Sequence, residues 1–270
     1  MGQDTHIAWA NHTVNPWTGC TKVNAGCKNC YMYREKDRWK RKGQESSEAD
    51  VVKKTKGTGW KTVIRNAKSG ERIFVESMGD FWHEKADSWR EEVYEEMRKR
   101  PDVIYLIPTK RPQNIKERLP EDWGSKGWPN VWIGFSAEQQ SSYADFYNAI
   151  QEVPCYILWC SMEPMLEEIE ADRVVVNGEE VNPLAGSLKY RKLDWIVVGG
   201  ESGNDTGKHR YRPCEEEWMY KVVQACRRNE VAVFVKQMGT YLSKVMGITR
   251  DGKEVREFPM RLRVQEYPEY

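Results

Sequence analysis

Short apolar runs recur along most of the chain, and each ends in polar residues before a stretch that can form a helix. Six of these runs are IFVESMGD (73–80), VIYLIPTKR (103–111), VWIGFSAE (131–138), CYILWCSMEP (155–164), DWIVVGGESG (194–203) and VAVFVKQMG (231–239). Strands that are buried on both faces need continuous apolar runs of this kind, and such strands are typical of parallel sheets. The sequence therefore predicts repeated units of strand, helix and strand.

Two of the intervening segments have the apolar spacing of amphipathic helices. In residues 87–100, Trp89, Val93 and Met97 recur every four residues. Residues 214–230 show a similar face, with acidic residues leading and arginines trailing, as the helix dipole favours. An opening strand near residues 7–14 brings the total to about seven strand–helix units. We therefore predict an α/β fold with a partial, TIM-like β/α barrel.

The chain has 270 residues, of which 39% are apolar, and this is enough for one barrel or two compact domains. Two stretches fit the strand–helix pattern poorly. Residues 36–62 are dense in lysine, and residues 167–193 contain a hairpin pattern that turns at Asn177-Gly178. We interpret both as surface insertions, because neither is long enough to fold independently. A single domain over residues 1–270 is therefore predicted.

The charges of the chain nearly cancel, with 42 Lys and Arg against 41 Asp and Glu, for a net charge of +1. No global field draws such a protein to nucleic acid or to a membrane, so any such contact must come from a local patch. No apolar stretch approaches the roughly 18–20 residues that span a bilayer, and the start of the chain lacks a signal-peptide pattern. We expect a cytoplasmic protein without a membrane partner.

A cysteine loop follows the opening strand. Cys20, Cys27 and Cys30 have the spacing C-x6-C-x2-C, and the chain contains seven cysteines in all. Clustered thiols in a reducing compartment more often bind metal than form disulfides. Three thiolates fit either zinc, with His6 or His12 as a fourth ligand, or a [4Fe–4S] cluster with one open iron. The residues alone leave both alternatives open.

Polar residues end the apolar runs, and in β/α barrels the chemistry gathers at the carboxyl ends of the strands. The candidate site residues chosen on this basis are Glu76, Ser77, Asp80, Ser136, Glu138, Glu163, Glu201 and Lys236. The alternative is that these carboxylates pair with Lys110, Arg111 or Lys236 as a solvated charge network.

Seven blocks of the chain resemble the phage-associated, three-cysteine-motif family of radical-SAM-like proteins. They are NPWTGCTKVNAGCKNCY (15–31), FVESMGDFWHE (74–84), YLIPTKRP (105–112), VWIGFSAE (131–138), SMEP (161–164), DWIVVGGESG (194–203) and FVKQMG (234–239). They occur in this order over nearly the whole chain. The loop departs from the common C-x3-C-x2-C form, and Asn29 stands where an aromatic residue usually precedes the last cysteine.

The resemblance implies a barrel of the radical SAM type that holds a [4Fe–4S] cluster on Cys20, Cys27 and Cys30 and binds S-adenosylmethionine. It implies an external electron donor as well. Such enzymes commonly place the contacts to the methionine amino group where this chain has Glu76, Ser77 and Asp80. Contacts to the ribose are common where it has Ser136 and Glu138. By their barrel position, the cofactor-binding residues are expected to include Glu163, Glu201 and Lys236.

The substrate is less constrained by the sequence. The phage association of the family makes a modified nucleobase in DNA the predicted substrate, with isomerisation among the expected outcomes and the host cytoplasm as the location. Lys110, Arg111 and the lysines of 36–62 are basic groups that can contact phosphates. Two alternatives remain: a non-catalytic zinc-binding module that contacts nucleic acid or protein, and a barrel hydrolase that uses the carboxylates.

Overall fold

The structure is a computed structural model that describes residues 2–3, 5–38, 48–249 and 252–269. Part of the predicted insertion at 36–62, residues 39–47, lies outside the described residues. In the described part of that stretch, a helix ends at Arg38, a short strand covers Lys53–Lys54 and a second helix begins at Gly59.

The strands are β1 (Gly2–Gln3), β2 (His12–Val14), β3 (Trp17–Thr18), β4 (Lys53–Lys54), β5 (Arg72–Val75), β6 (Ile104–Thr109), β7 (Val131–Ser136), β8 (Leu158–Met162), β9 (Val174–Val176), β10 (Glu179–Val181), β11 (Trp195–Gly199) and β12 (Ala232–Gln237). The α-helices are α1 (Tyr31–Arg38), α2 (Gly59–Asn66), α3 (Asp87–Arg98), α4 (Gln140–Ala149), α5 (Glu216–Arg228) and α6 (Gly239–Met246). Short 3-10 turns cover Ala25–Cys27, Glu84–Ala86, Pro112–Asn114, Lys116–Arg118, Glu121–Trp123, Val255–Glu257 and Met260–Leu262.

Within the described residues, eight strands form one sheet in the order β1-β2-β5-β6-β7-β8-β11-β12. β1 pairs with β2 in the antiparallel sense, and the other seven strands are parallel. In the register of β11, Trp195 lies between Trp159 of β8 and Ala232 of β12. Each predicted apolar run contains or overlaps one of these strands. The predicted α/β fold with a partial β/α barrel is therefore confirmed.

The chain divides into two compact units. The first comprises Met1–Val23, Cys30–Gly134 and Glu152–Tyr156, and the second comprises Asn24–Asn29, Phe135–Gln151 and Ile157–Tyr270. The single domain predicted over residues 1–270 stays a prediction beside these two units.

The core of the first unit is rich in aromatic side chains. The rings of Trp17 and Phe81 stack with their centroids 5.3 Å apart, and Phe81 meets Tyr94 of α3 edge-on at 5.7 Å. α3 begins with Asp87 and ends with Arg98, as its dipole favours, and Val93 and Met97 are buried as the spacing predicts. Burial of these aromatic rings removes a large apolar surface from water and so stabilises this unit.

The core of the second unit is built on its parallel strands. The rings of Trp159 and Trp195 lie 5.1 Å apart, and Phe234 meets Trp195 edge-on at 6.2 Å. α5 buries the face that its sequence spacing predicts, which consists of Met219, Val222, Val223 and Cys226. None of the helices in the described ranges has the length and apolar character needed to cross a bilayer.

The predicted hairpin at Asn177-Gly178 is confirmed. β9 and β10 pair in the antiparallel sense with Val176 opposite Glu179. Asn177 and Gly178 have φ values of +52° and +81°, the left-handed conformation that Asn and Gly tolerate best in tight hairpin turns.

A buried carboxylate joins the two helices α2 and α3 of the first unit. Both oxygens of Glu96 accept hydrogen bonds from Arg65 at 2.8 Å, and Lys99 donates to the same carboxylate at 3.0 Å. The Glu96 side chain is only 2% exposed, whereas Arg65 and Lys99 are more than half exposed. The hydrogen bonds from Arg65 are the largest of the effects that lower the pKa of Glu96 to about 2.

We expect Arg65→Ala to lower the free energy of unfolding near pH 7, because it removes two hydrogen bonds from the buried Glu96 carboxylate. The loss should be smaller than for a fully buried ion pair, because the Arg65 side chain is more than half exposed and solvent screens its charge. The folded-state pKa of Glu96 is depressed, so the stabilisation is complete above its ordinary pKa of 4.5 and is lost as the pH falls toward 2. Urea denaturation of both proteins across that pH range measures the effect. Arg256→Ala, at an 89% exposed arginine, is the control with little expected change. A loss of stability that did not diminish toward low pH would contradict the role of Glu96.

Candidate functional site

Glu76 follows β5 directly and is a buried acidic residue of the first unit. It is 3% exposed and its φ is +68°, a conformation that side chains other than Gly rarely adopt. The main-chain N–H of Trp17 donates to one carboxylate oxygen at 3.0 Å, and the other oxygen, Oε2, has no hydrogen-bond partner among the described residues. Burial, reinforced by the charge of Asp80, raises the pKa of Glu76 well above its ordinary value.

Gly79 makes room for this carboxylate. A Cβ atom at position 79 would lie 2.4 Å from Oε2 of Glu76, closer than real side chains approach. The glycine in the sequence SMGD therefore allows the buried carboxyl group to lie against the main chain of its own loop.

Asp80 is fully occupied by donors from the same unit. Thr109 Oγ1 lies 2.8 Å from both carboxylate oxygens, and the main-chain N–H groups of Trp82 and Lys110 donate at 3.0 and 3.2 Å. Because Thr109 ends β6, these bonds join the end of β5 to the end of β6. Asp80, a predicted cofactor contact, acts in this structure as a link between two strand ends.

Ser77 is also engaged by neighbouring side chains. Its Oγ lies 3.1 Å from Asn15 Nδ2, while Asn15 Oδ1 accepts the main-chain N–H of Met78 at 2.7 Å. The hydroxyl of Tyr31, the first residue of α1, donates to the main-chain oxygen of Ser77. The loop after β5 is therefore fixed by Asn15, which follows β2, and by Tyr31 of α1.

Cys20 and Cys30 belong to the first unit and are half-buried. The main-chain N–H of Cys20 donates to Ala49 at 3.0 Å, and the Tyr33 hydroxyl donates to the main-chain oxygen of Cys20 at 2.5 Å. Cys20 Sγ lies 3.4 Å from the carbonyl oxygen of Thr21. The chain around Cys20 is thus held by main-chain and hydroxyl hydrogen bonds.

Thr21, next to Cys20, is held by two further residues. Arg111 donates to its carbonyl oxygen at 2.8 Å, and His83 Nε2 lies 3.2 Å from its hydroxyl. The Lys85 main-chain N–H donates to His83 Nδ1, so the ring proton is assigned to Nε2. Burial, followed by the charge of Arg111, lowers the pKa of His83, so the ring is neutral near pH 7.

In the second unit, Cys27 lies in the turn Asn24–Asn29 and is buried. Asn24 caps the 3-10 turn, because its Oδ1 accepts the main-chain N–H of Cys27 at 3.3 Å. The same Asn24 donates through Nδ2 to Glu138 Oε2 at 2.8 Å. Glu138 follows Ser136, the last residue of β7, and is 1% exposed.

The remaining predicted residues of the second unit form ion pairs. Lys236 Nζ lies 2.8 Å from Glu163 Oε1, and Ser161 donates to the other oxygen of Glu163 at 3.1 Å. Glu201 accepts the main-chain N–H of Arg212 at 2.8 Å and its Nε–H at 2.9 Å, and the second oxygen takes Nη2–H at 2.5 Å. Pairing of the strand-end carboxylates is therefore the dominant pattern here.

Three lysines of the predicted basic patch are paired with carboxylates. Lys53 pairs with Glu48, and Lys54 and Lys61 each lie 2.6 Å from a carboxylate oxygen of Glu92. Arg111, which was expected at a phosphate, is 7% exposed and bound to Thr21. These contacts reduce the positive charge that the stretch can offer to a nucleic acid.

Within the ranges that the structure describes, no three His, Cys, Asp or Glu side chains are grouped closely enough to hold a single metal ion. His12, a predicted fourth ligand for zinc, places Nε2 2.8 Å from Glu71 Oε2, and His6 is exposed. In a four-iron cluster each cysteine binds a different iron, so its ligands lie further apart than those of one ion. The pairing of His12 engages a predicted zinc ligand, and the [4Fe–4S] cluster stays a prediction.

Sequence reasoning missed Asn24, Thr109 and Arg212. Asn24 had a local signal, because an asparagine three residues before Cys27 is a capping pattern. Thr109 and Arg212 had none, since each meets its carboxylate through the tertiary fold.

Comparison with protein families gives one result over most of the chain. Residues 4–263 match the family described as Protein of unknown function (DUF5131), so the chain belongs to this family. Neither the curated proteins nor the solved structures give a match. The function therefore has to be inferred from the side chains themselves.

The raised pKa of Glu76 gives a pH test. A buried acid whose folded-state pKa is raised contributes stability below its ordinary pKa of 4.5, and this stability is lost as the pH rises toward the folded-state value. Over that interval we therefore expect the free energy of unfolding of Glu76→Gln to rise relative to that of the natural chain by about 1.4 kcal/mol per pH unit. Urea denaturation across the interval measures the difference. Glu121→Gln, at an exposed glutamate, should show no such slope, and a flat difference for Glu76→Gln would refute the assignment.

Proposed function

We propose that this DUF5131 protein is a radical SAM-type enzyme in which Cys20, Cys27 and Cys30 hold a [4Fe–4S] cluster. The observation that carries the proposal is the donor set. Three cysteines outside any disulfide lie within eleven residues of chain, between strand β3 and helix α1. Three thiolates are the protein ligands of a four-iron cluster whose fourth iron is open to a small molecule.

The remaining cysteines differ from Cys20 and Cys30 in their surroundings. Cys155, Cys160, Cys214 and Cys226 are all buried. Burial raises the pKa of Cys214 to about 12, so its thiol stays protonated and inert. Cys20 and Cys30 are half-buried instead. This contrast supports ligand roles for Cys20 and Cys30 and core roles for the four. Cys27 is buried as well, and its assignment as a ligand comes from its place in the loop.

When bound and reduced, the cluster would supply the one electron that cleaves S-adenosylmethionine into methionine and a 5′-deoxyadenosyl radical. The chain itself has to bind and orient the cofactor and exclude water. The group best suited to this is Glu76, because its Oε2 is buried and no group in the described part of the chain makes a hydrogen bond with it. An ammonium group donating to Oε2 would favour the ionised carboxylate, so Glu76 would release its proton as the methionine moiety binds.

The ion pairs of the second unit offer the complementary charge. Lys236 is the penultimate residue of β12, pairs with Glu163 and would donate to a carboxylate of the cofactor. Ser136 ends β7 and Glu138 follows it, where the resemblance implies ribose contacts. An external reductant is the implied electron donor.

The substrate stays a prediction from the sequence. A modified nucleobase, with isomerisation among the outcomes, follows from the resemblance alone, and the pairing of Lys54 and Lys61 with Glu92 gives it no added support. The alternative, a non-catalytic zinc-binding interaction module, has less support because His12 is paired with Glu71. A hydrolase that uses the strand-end carboxylates has less support too, since most of them are paired.

We expect anaerobically purified or reconstituted protein to contain iron and acid-labile sulfide and to absorb visible light. With S-adenosylmethionine and a strong reductant it should form 5′-deoxyadenosine, measured by chromatography and mass spectrometry. Cys27→Ala should abolish cluster assembly and product, because a four-iron cluster cannot be held by two thiolates.

Cys214→Ala is the matched control. It removes a thiol that is 1% exposed and has no proposed ligand role, so iron content and product should persist. Natural protein that binds zinc without sulfide, or a reconstituted cluster that yields no 5′-deoxyadenosine, would contradict the proposal.

A further inference from the structure

We infer that Glu138 and Glu201 position the cysteine turn Asn24–Asn29. Glu201 acts through Arg212, which is bonded to Glu201 and donates a hydrogen bond to the turn. The role of Cys27 as a cluster ligand rests on the proposed function, but the contacts that position the turn are made by the protein alone. Every residue concerned lies in the second unit. Both carboxylates thereby have a positioning role, and their contact with the cofactor stays a prediction.

Glu138 holds the start of the turn through Asn24. Its Oε2 accepts from Asn24 Nδ2 at 2.8 Å, which orients the amide so that Oδ1 faces Cys27. That oxygen accepts the Cys27 main-chain N–H at 3.3 Å and lies 3.4 Å from Cys27 Sγ. A single amide therefore connects a buried carboxylate to both the main chain and the thiol of Cys27.

Gly26 lets the turn lie directly on Glu138. A Cβ atom at position 26 would stand 2.1 Å from the carboxylate carbon and 2.3 Å from Oε1. Any side chain at this position would collide with the group that orients Asn24. The absence of a side chain is thus part of the same arrangement.

Arg212 holds the middle of the turn. Its Nη1 donates to the carbonyl oxygen of Ala25 at 2.8 Å, while Nε and Nη2 donate to the two oxygens of Glu201. Glu201 is 7% exposed and also accepts the main-chain N–H of Arg212. A guanidinium fixed by a bidentate carboxylate has little freedom left, so its remaining N–H group points in a defined direction.

A third contact fixes the end of the turn. Asn29 Nδ2 donates to the main-chain oxygen of Arg210 at 2.8 Å. The segment around Arg210 and Arg212 therefore makes hydrogen bonds to the turn at two points, and Glu138 makes one at a third. Hydrogen bonds from charged groups are stronger than neutral ones, so these contacts suppress local opening around Cys27.

Alkylation of Cys27 in the cluster-free, reduced protein tests the inference without any activity. The rate of reaction with iodoacetamide, followed by mass spectrometry of the cysteine peptides, reports how often the turn opens. We expect Arg212→Ala to speed the reaction of Cys27 about tenfold, because it loses a hydrogen bond from a charged group. Glu138→Ala should act similarly. Glu138→Gln should restore much of the protection, since its amide oxygen still accepts from Asn24.

Two controls separate positioning from general loss of structure. Arg210→Ala removes an exposed arginine side chain from the same segment but keeps the carbonyl oxygen that Asn29 uses, so Cys27 should react as in the natural chain. Cys214, which is 1% exposed, reports unfolding of the whole unit within each sample. It should stay unreactive in every variant.

An unchanged Cys27 rate in Arg212→Ala, with Cys214 still protected, would overturn the inference. Should Arg212→Ala unfold, Glu201→Gln keeps the volume and breaks the ion pair, and it should also expose Cys27. Unfolding of both variants would contradict a role confined to the turn. If the variants speed the alkylation of Cys27 but the natural protein cannot hold an iron–sulfur cluster, the proposed function is refuted and this inference stands. If the natural protein holds the cluster but the variants leave the alkylation rate of Cys27 unchanged, this inference is refuted and the proposed function stands.

Discussion

Burying a carboxylate costs free energy unless donors surround it, and this constraint shapes the strand ends in both units. Asp80 accepts from Thr109 and two main-chain N–H groups, and Glu201 accepts three hydrogen bonds from Arg212, one of them from the main chain. Glu163 has Lys236. Each of these pairings ties a strand end to a neighbouring segment. The acidic residues that a barrel usually reserves for chemistry are here also part of what holds its loops.

Glu76 differs from these three carboxylates because, among the residues that the structure describes, its buried Oε2 makes neither a hydrogen bond nor an ion pair, whereas Oε1 of Glu163 is paired with Lys236. Its positive φ and its raised pKa both indicate a group kept in an unfavourable state by the surrounding fold. Such a group is stabilised when a cationic hydrogen-bond donor reaches it. The proposed cofactor contact and the structural cost therefore fall on the same side chain, which is the strongest reason to assign ligand binding to the first unit at this position.

Much of the fold follows from local sequence. Continuous apolar runs predicted the parallel strands, four-residue spacing predicted α3 and α5, and Asn177-Gly178 predicted a hairpin, because each signal depends only on nearby residues. The partners of the candidate carboxylates could not be predicted in this way. Asn24 and Glu138 are 114 positions apart in the chain, and their contact depends on the order of strands and on the path of the turn. Sequence reasoning therefore found the acidic residues but not which of them were already engaged.

The close approach of Gly26 to Glu138 links the permitted volumes of two distant positions. A methyl group at position 26 needs space that only a shorter residue at position 138 provides, and a shorter residue there leaves Asn24 without its acceptor. Variation at either position is therefore coupled to the other. In a library of variants, tolerated changes at these two positions should occur as compensating pairs, and the glycine should be lost alone only in chains whose cysteine turn takes another path.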